Sequence, residues 1–154
     1  MDNKNYIPVY KPEFYGNEKK YLIDCIDSGW ISSKGKYVSL FEEKFSAFLG
    51  GGYSSAVSNG TVALHLALKV LGIKDGDEII VPSFTYIASV NSIKFCNANP
   101  VFIDSDLHTW NIDVNKIREK ITTKTKAILA VHLYGALCDC KALREICNQY
   151  SLFL

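Results

Sequence analysis

The sequence predicts an α/β fold, a partial doubly wound layout with a mostly parallel sheet, and two observations carry that expectation. From residue 54 onward, short apolar runs alternate with stretches of helical periodicity, the pattern of strand–helix–strand crossovers. Three polar or aromatic turns, in Ser58-Asn-Gly-Thr-Val-Ala-Leu64, Val81-Pro-Ser-Phe-Thr-Tyr-Ile-Ala-Ser89 and Val131-His-Leu-Tyr-Gly135, each follow a strand. In a parallel sheet all three open on one carboxyl edge, where ligands of α/β folds bind.

Taken in chain order, an extended entry, Tyr6-Ile-Pro-Val-Tyr10, leads into a helix over 17–28. Tyr21, Leu22, Cys25 and Ile26 line one face of it, and Gly29 follows its end. A second helix is expected from Ser39, where Ser39-Leu-Phe-Glu42 has capping-box spacing; it carries Phe41, Phe45, Phe48 and Leu49 and stops at Gly50-Gly-Gly52. A strand over 54–57 precedes a helix over 61–71 with Leu64, Ala67, Leu68 and Leu71 at helical spacing. Strands over 78–81, 101–103 and 127–131 then alternate with helices over 86–95, 114–121 and 142–150, and a further strand begins at Leu152. No internal repeat, low-complexity stretch or linker interrupts the series, so residues 1–154 read as one domain or part of one.

Composition narrows the function classes. With 154 residues, 48% hydrophobic and 21% charged, the chain has an ordinary soluble composition and apolar mass for one core. A net charge of +1 gives no electrostatic basis for binding nucleic acid or an anionic membrane. No uninterrupted apolar run approaches the ~20 residues that cross a bilayer. Met1-Asp-Asn-Lys-Asn5 leads into no apolar signal core, so a cytoplasmic location is expected. Of the five cysteines, Cys25, Cys96, Cys138, Cys140 and Cys147, only Cys138-Asp-Cys140 form a close pair, at a spacing that suits neither a zinc ribbon nor a thioredoxin-like motif. With His65, His108 and His132 as the only histidines, no metal site is expected, and the thiols read as reduced and partly buried.

The turn at Ser58 has a chemistry of its own. The first turn of the helix after it presents unpaired N–H groups and the positive end of the macrodipole, Gly60 lets the backbone approach closely, and Thr61 adds a hydroxyl. A phosphate suits that arrangement, and ordinary capping by Asn59 explains the same residues equally simply.

Together with Gly29-Trp-Ile-Ser-Ser-Lys-Gly35, the run from Ser58 to Ala67, Gly76-Asp-Glu-Ile-Ile-Val-Pro82, Thr85-Tyr-Ile-Ala-Ser-Val-Asn91 and Thr125-Lys-Ala-Ile128, these motifs resemble the amino-terminal half of the DegT/DnrJ/EryC1/StrS sugar aminotransferases, which use pyridoxal phosphate. The resemblance runs from about Ile7 to Leu154 and is most like the perosamine-forming members. It implies the aspartate-aminotransferase-like fold type I large domain, with residues 1–154 forming an amino-terminal segment and an incomplete cofactor-binding domain. It also implies transfer of an amino group from glutamate to a 4-keto-6-deoxy sugar carried on a nucleotide. For the perosamine branch that sugar is GDP-4-keto-6-deoxymannose and the product GDP-perosamine, a building block of surface polysaccharide such as lipopolysaccharide O-antigen. A cytoplasmic homodimer is the implied assembly.

The same resemblance assigns roles to residues. Gly60 and Thr61 match the positions that grip the cofactor phosphate, and Tyr86 matches the aromatic that stacks on the pyridine ring. From spacing alone Tyr86 also reads as a core aromatic on a helix. His132 and Tyr134 match positions near the ring and the sugar, with a helix-capping or supporting role as the other reading of His132. Trp30 and Ser32 belong to a loop that in the family lies near the active site, often across a subunit boundary; Trp30 reads equally as packing after Gly29. His65 and His108 read as structural or solvent-facing.

No catalytic residue is expected within these 154. A pyridoxal-phosphate transaminase needs a lysine amine to hold the cofactor and move the substrate proton, and a carboxylate to keep the ring nitrogen protonated. In the family the carboxylate follows the strand that begins at Leu152 and the lysine comes later, and no lysine here has the family's context. The chain ends as it enters Ser151-Leu-Phe-Leu154, so the expectation is a chain truncated before the catalytic lysine, inactive alone and not a stable monomer. Two rival expectations are an inactive gene remnant and a noncatalytic α/β module that binds a phosphate ligand.

Overall fold

The computed structural model describes residues 6–154, so Met1-Asp-Asn-Lys-Asn5 and the reading of it as lacking a signal core lie outside the described residues. The chain divides into two compact units, Met1–Ala56 and Val57–Leu154.

The first unit holds α1 (Glu18–Asp27) and α2 (Lys36–Phe48). Gly29 ends the first helix region as expected, at φ 71°, a conformation glycine enters without steric cost. α2 starts three residues ahead of the expected Ser39. Gly35 caps it in an extended conformation, and a Cβ there would lie 3.3 Å from the Trp30 carbonyl, a tight contact that a larger residue would have to push back. The Ser39–Glu42 pair therefore falls inside the helix, and the Glu42 carboxylate instead accepts the Ala56 N–H at 2.7 Å. That bond bears on the expected strand over 54–57, which does not form: its backbone N–H at Ala56 is taken by a side chain, and no neighbouring strand pairs with it. α1 and α2 are tied by Asp24, whose carboxylate meets Lys36 Nζ at 2.6 Å and accepts the Tyr37 hydroxyl at 3.0 Å. Neither helix contains a buried residue.

The second unit is built on three parallel strands, β1 (Glu78–Pro82), β2 (Asn99–Ile103) and β3 (Thr125–Ile128), in the order β2-β1-β3. β1 is central, and Ile79 through Pro82 are buried, the near-continuous apolar run of a strand covered on both faces. Alternation along it sorts the core into two layers. Ile79 and Val81 pack with Leu68 of α3 (Gly60–Val70) and Ile93 of α4 (Ile87–Phe95). Ile80 packs with Ile103, Ile128, and Leu143 and Ile146 of α5 (Cys140–Tyr150). Each such side chain contributes about 1.5–3 kcal/mol by leaving water. Helices thus cover both faces, as a doubly wound layout requires.

The strand expected from Leu152 makes a single parallel bridge, Ala127 with Phe153; the Phe153 N–H donates to Lys126 O at 3.0 Å and the Ile128 N–H to Phe153 O at 2.9 Å. Residues 114–121 form two 3-10 turns, Val114–Lys116 and Arg118–Lys120, in place of the expected helix. The Asp113 carboxylate accepts the Asn115 N–H at 3.0 Å and caps the first of them, and Ile117 is fully buried. β3 ends at Ile128, ahead of the expected 131. All five cysteines are free thiols, with Cys96, Cys138 and Cys147 buried, and burial pushes those three above the usual thiol range. No helix among the described residues is long and apolar enough to cross a membrane.

Candidate functional site

Because β1, β2 and β3 run the same way, the segments that follow them, residues 83–86, 104–110 and 129–135, all leave one carboxyl edge. The first turn of α3 supplies the remaining candidates of this unit.

α3 begins where Asn59, extended at φ −168°, caps it: the side-chain Oδ1 accepts the Val62 N–H at 3.0 Å and the backbone carbonyl accepts the Ala63 N–H at 3.1 Å. The capping reading of Asn59 is therefore correct. It leaves the N–H groups of Gly60 and Thr61 as first-turn donors without a partner among the described residues. A Cβ added at Gly60 would meet no atom within 4 Å, so the approach to those donors is open. Two free N–H groups, an adjacent hydroxyl and the positive helix end form a donor set for a phosphate dianion, which pyridoxal phosphate carries.

Tyr86 sits outside α4 as its N-cap residue, extended at φ −68° and ψ 140°, and is 78% exposed. It is not a core aromatic on a helix, and its side chain is largely open to solvent. The start of α4 behind it is fixed by hydroxyls: Thr85 Oγ1 and Ser89 Oγ lie 3.0 Å apart, and the Ser92 hydroxyl donates to Ser89 O at 2.9 Å. α3 and α4 pack on each other, with His65 edge-on to Phe95 at 5.7 Å between ring centroids. His65 is thus a packing residue, and His108 is exposed.

After β3, His132 Nδ1 accepts the Cys138 N–H at 3.1 Å, which places the proton of the neutral ring on Nε2 and braces the approach to α5. Tyr134 lies in the left-handed region at φ 50° and ψ 27°, 83% exposed. After β2, Asp106 accepts the N–H and hydroxyl of Thr109, at 2.8 and 3.0 Å, and the His108 N–H at 3.0 Å. Those bonds, the Thr109 N–H first, hold its carboxyl below the usual range. The turn so made delivers Trp110 at φ 62°, unusual for a bulky side chain and worth on the order of 1–3 kcal/mol of strain. Trp110 meets Phe84 with centroids 5.6 Å apart, and with Thr109, Leu133 and Tyr134 they line a cavity of about 350 Å³.

The structure thus places Tyr86, His132 and Tyr134 on segments leaving one sheet edge, and Gly60 and Thr61 at a helix start of the same unit. Trp30 and Ser32 belong to the first unit, where Trp30 is 54% exposed rather than packed away and the Ser32 carbonyl accepts the Gly35 N–H at 3.3 Å. Phe84, Trp110 and Asn111 were not singled out by sequence reasoning. The one local signal for the last two is the Asp106-x-x-Thr109 spacing of a side-chain-capped turn. A larger cavity, about 650 Å³, lies elsewhere, between α1 and α2; Leu22, Leu40, Phe41 and Phe45 make most of its walls, with Glu18, Tyr37 and Lys44 also lining it. Among the described residues no group of three potential metal ligands comes together.

Comparison with known proteins gives this geometry a context. The pattern of the DegT/DnrJ/EryC1/StrS aminotransferase family matches residues 12–154. The GDP-perosamine synthase of Escherichia coli O157:H7 is 56% identical over 149 residues, 97% of this chain and 41% of that protein. The GDP-perosamine synthase of Vibrio cholerae is 54% identical over 148 residues, 96% of this chain and 40% of that protein. The chain therefore spans about 40% of the length of the curated relatives it matches. Among solved structures, the pyridoxal-phosphate form of the putative sugar aminotransferase Spr1654 from Streptococcus pneumoniae superposes with a TM-score of 0.85 at 33% identity, covering 96% of this chain and 38% of that one. The fold is that of the fold type I, aspartate-aminotransferase-like enzymes. On the family pattern and these identities, the chain belongs to the DegT/DnrJ/EryC1/StrS aminotransferase family.

Proposed function

We propose that this chain is the cofactor-binding portion of a pyridoxal-phosphate aminotransferase that moves the amino group of glutamate to the 4-keto carbon of GDP-4-keto-6-deoxymannose, giving GDP-perosamine and 2-oxoglutarate. The observation that carries the reading is the open first turn of α3, with two free N–H donors, in a chain whose relatives include three GDP-perosamine synthases. When bound, pyridoxal phosphate supplies an electron sink that lets the amino nitrogen pass from one carbon to another. In this reading Gly60 and Thr61 hold the phosphate, and Tyr86 covers one face of the ring. His132 and Tyr134 border the ring and the sugar. Of the first unit, Trp30 and Ser32 are assigned to the sugar by the family resemblance alone, and the assembly is a cytoplasmic homodimer. The lysine that anchors the cofactor and the carboxylate that pairs with its ring nitrogen belong to sequence outside these 154 residues.

The test is to supply glutamate and GDP-4-keto-6-deoxymannose to the full-length protein that carries this segment and to follow products by mass spectrometry. Equal amounts of GDP-perosamine and 2-oxoglutarate are expected; an aminated product from a different nucleotide sugar, or none, overturns the substrate assignment. The 154-residue chain alone, treated with pyridoxal phosphate and borohydride, is expected to carry no cofactor on a single defined lysine. A second reading, a noncatalytic phosphate-binding module, is favoured by one feature: the N–H groups of Gly60 and Thr61 and the Thr61 hydroxyl all lie in the first turn of α3. It gains if the full-length protein binds phosphate and nucleotide sugar without turnover.

A further inference from the structure

We infer that Asn111 is the positioning residue of this site, fixing the loop that carries His132 and Tyr134 in the conformation that presents both at the sheet edge. The inference rests on the reading of that edge as the cofactor and sugar site. Asn111 is 4% exposed, and its carboxamide is spent wholly on a loop 22 to 26 residues further along the chain: Nδ2 donates to Ala136 O and to Leu137 O, each at 3.1 Å, and Oδ1 accepts the Leu133 N–H at 3.1 Å. An asparagine amide offers two donors beside an acceptor, whereas a carboxylate offers no donor.

The turn it holds does not hold itself. Tyr134 is left-handed at φ 50° and Gly135 follows at φ 89°, and the turn's own backbone bonds are two short ones, Gly135 N–H to His132 O at 3.1 Å and Ala136 N–H to Leu133 O at 2.9 Å. A tyrosine in that region relaxes to negative φ unless its surroundings forbid it. The side that does the holding is firmly built. The Asp106 N–H donates to Asn111 O at 2.8 Å, the Trp110 N–H donates to Asp106 O at 2.9 Å, and the next residue, Ile112, is 3% exposed and bridges to Ser105. Asn111 therefore transfers the order of the turn after β2 to the turn after β3. Through Cys138 N–H, the same held loop sets the bond that orients the His132 ring.

Amide hydrogen exchange on the full chain, comparing the parent with Asn111→Ala and Asn111→Asp, tests this directly. In Asn111→Ala the amides of Leu133, Gly135, Ala136 and Cys138 are expected to exchange roughly tenfold faster or more, the factor that corresponds to losing a buried hydrogen bond. Those of Ile80 and Ile128 stay protected. Asn111→Asp keeps the size and the acceptor for Leu133 but loses both donors, so it is expected to keep protection at Leu133 and lose it at Gly135 and Ala136. This variant decides the matter if Asn111→Ala fails to fold. Pyridoxal phosphate, titrated as the probe by its absorbance, is expected to bind more weakly to both variants. Unchanged exchange over 133–138, or a loss spread evenly through β1 and α5, overturns the positioning role. Failure of the parent protein to take up pyridoxal phosphate overturns the site reading alone, while the exchange pattern still decides the clamp.

Discussion

Asn59 and Thr61 stand two residues apart in one helix turn and are expected to answer differently to the same substitution. Asn59→Ala removes the acceptor of the Val62 N–H and is expected to cost about 1 kcal/mol of stability, read from a urea melt, by frayed entry into α3. Thr61→Ala leaves the cap intact and is expected to lower cofactor retention on dialysis by about 0.5–1.5 kcal/mol, the worth of one hydrogen bond, with an unchanged melt. Tyr86→Ala should behave like Thr61→Ala: an exposed N-cap residue without a side-chain capping bond contributes little to folding, and its ring is left for the ligand. Retention unchanged in both variants would make the two residues structural. Asn59 was legible in the sequence because capping depends on the next three residues alone. The open space above Gly60 was not, because it depends on what the rest of the chain leaves uncovered.

At the scale of elements, the tie between α1 and α2 has a definite pH window. The Asp24 carboxyl lies below its ordinary 3.8 because it accepts from Lys36 and then Tyr37, so its contribution is present above that value and fades as pH falls through the lowered pKa. The Lys36 amine is raised above its ordinary 10.5 by the same Asp24, so its contribution is present below that value and is lost as pH rises through the raised pKa. The helical content of α1 and α2 is therefore expected to be greatest between about pH 4 and 10 and to fall on either side. Both groups are solvent-accessible, so added salt should flatten the profile. Circular dichroism of the parent and of Asp24→Asn across pH provides the comparison, and identical profiles would remove the tie from the account. Periodicity located these helices because an apolar stripe repeats every three to four residues whatever caps the helix. It missed the true start of α2 because the Ser39–Glu42 spacing is a local signal, while Glu42 is claimed by Ala56 fourteen residues away.

Over the whole molecule, the two units differ in what holds them. Val57–Leu154 contains two buried clusters on opposite faces of its sheet, whereas among the described residues of Met1–Ala56 only Gly35 is buried. Side chains that stay wet forgo the roughly 1.5–3 kcal/mol each that burial contributes. Amides of α1 and α2 are thus expected to exchange, and the segment to be cut by protease, well before β1 and α5 in the chain as given. Equal protection of both units would mean that the apolar residues of the first, Leu22, Ile26, Phe41 and Phe48 among them, are covered in solution.

What could be read along the chain was whatever short-range physics dictates. The β1 run Ile79-Ile-Val81 had to be a buried strand, the Leu64–Leu68–Leu71 spacing had to be a helix, and the glycines at 29 and 50–52 had to end one, since each follows from neighbours within a turn or two. Folding in three dimensions settled everything that depends on a distant partner. Residues 54–57 look extended but found no strand to pair with, residues 114–121 traded a helix for two 3-10 turns around the buried Ile117, and Asn111 acquired its partners from a loop that only the parallel order of β1, β2 and β3 brings beside it. A hydrogen bond between residues 22 to 26 apart leaves no periodic trace in a sequence, which is why Asn111, the residue that ties down the loop after β3, is one the sequence did not announce.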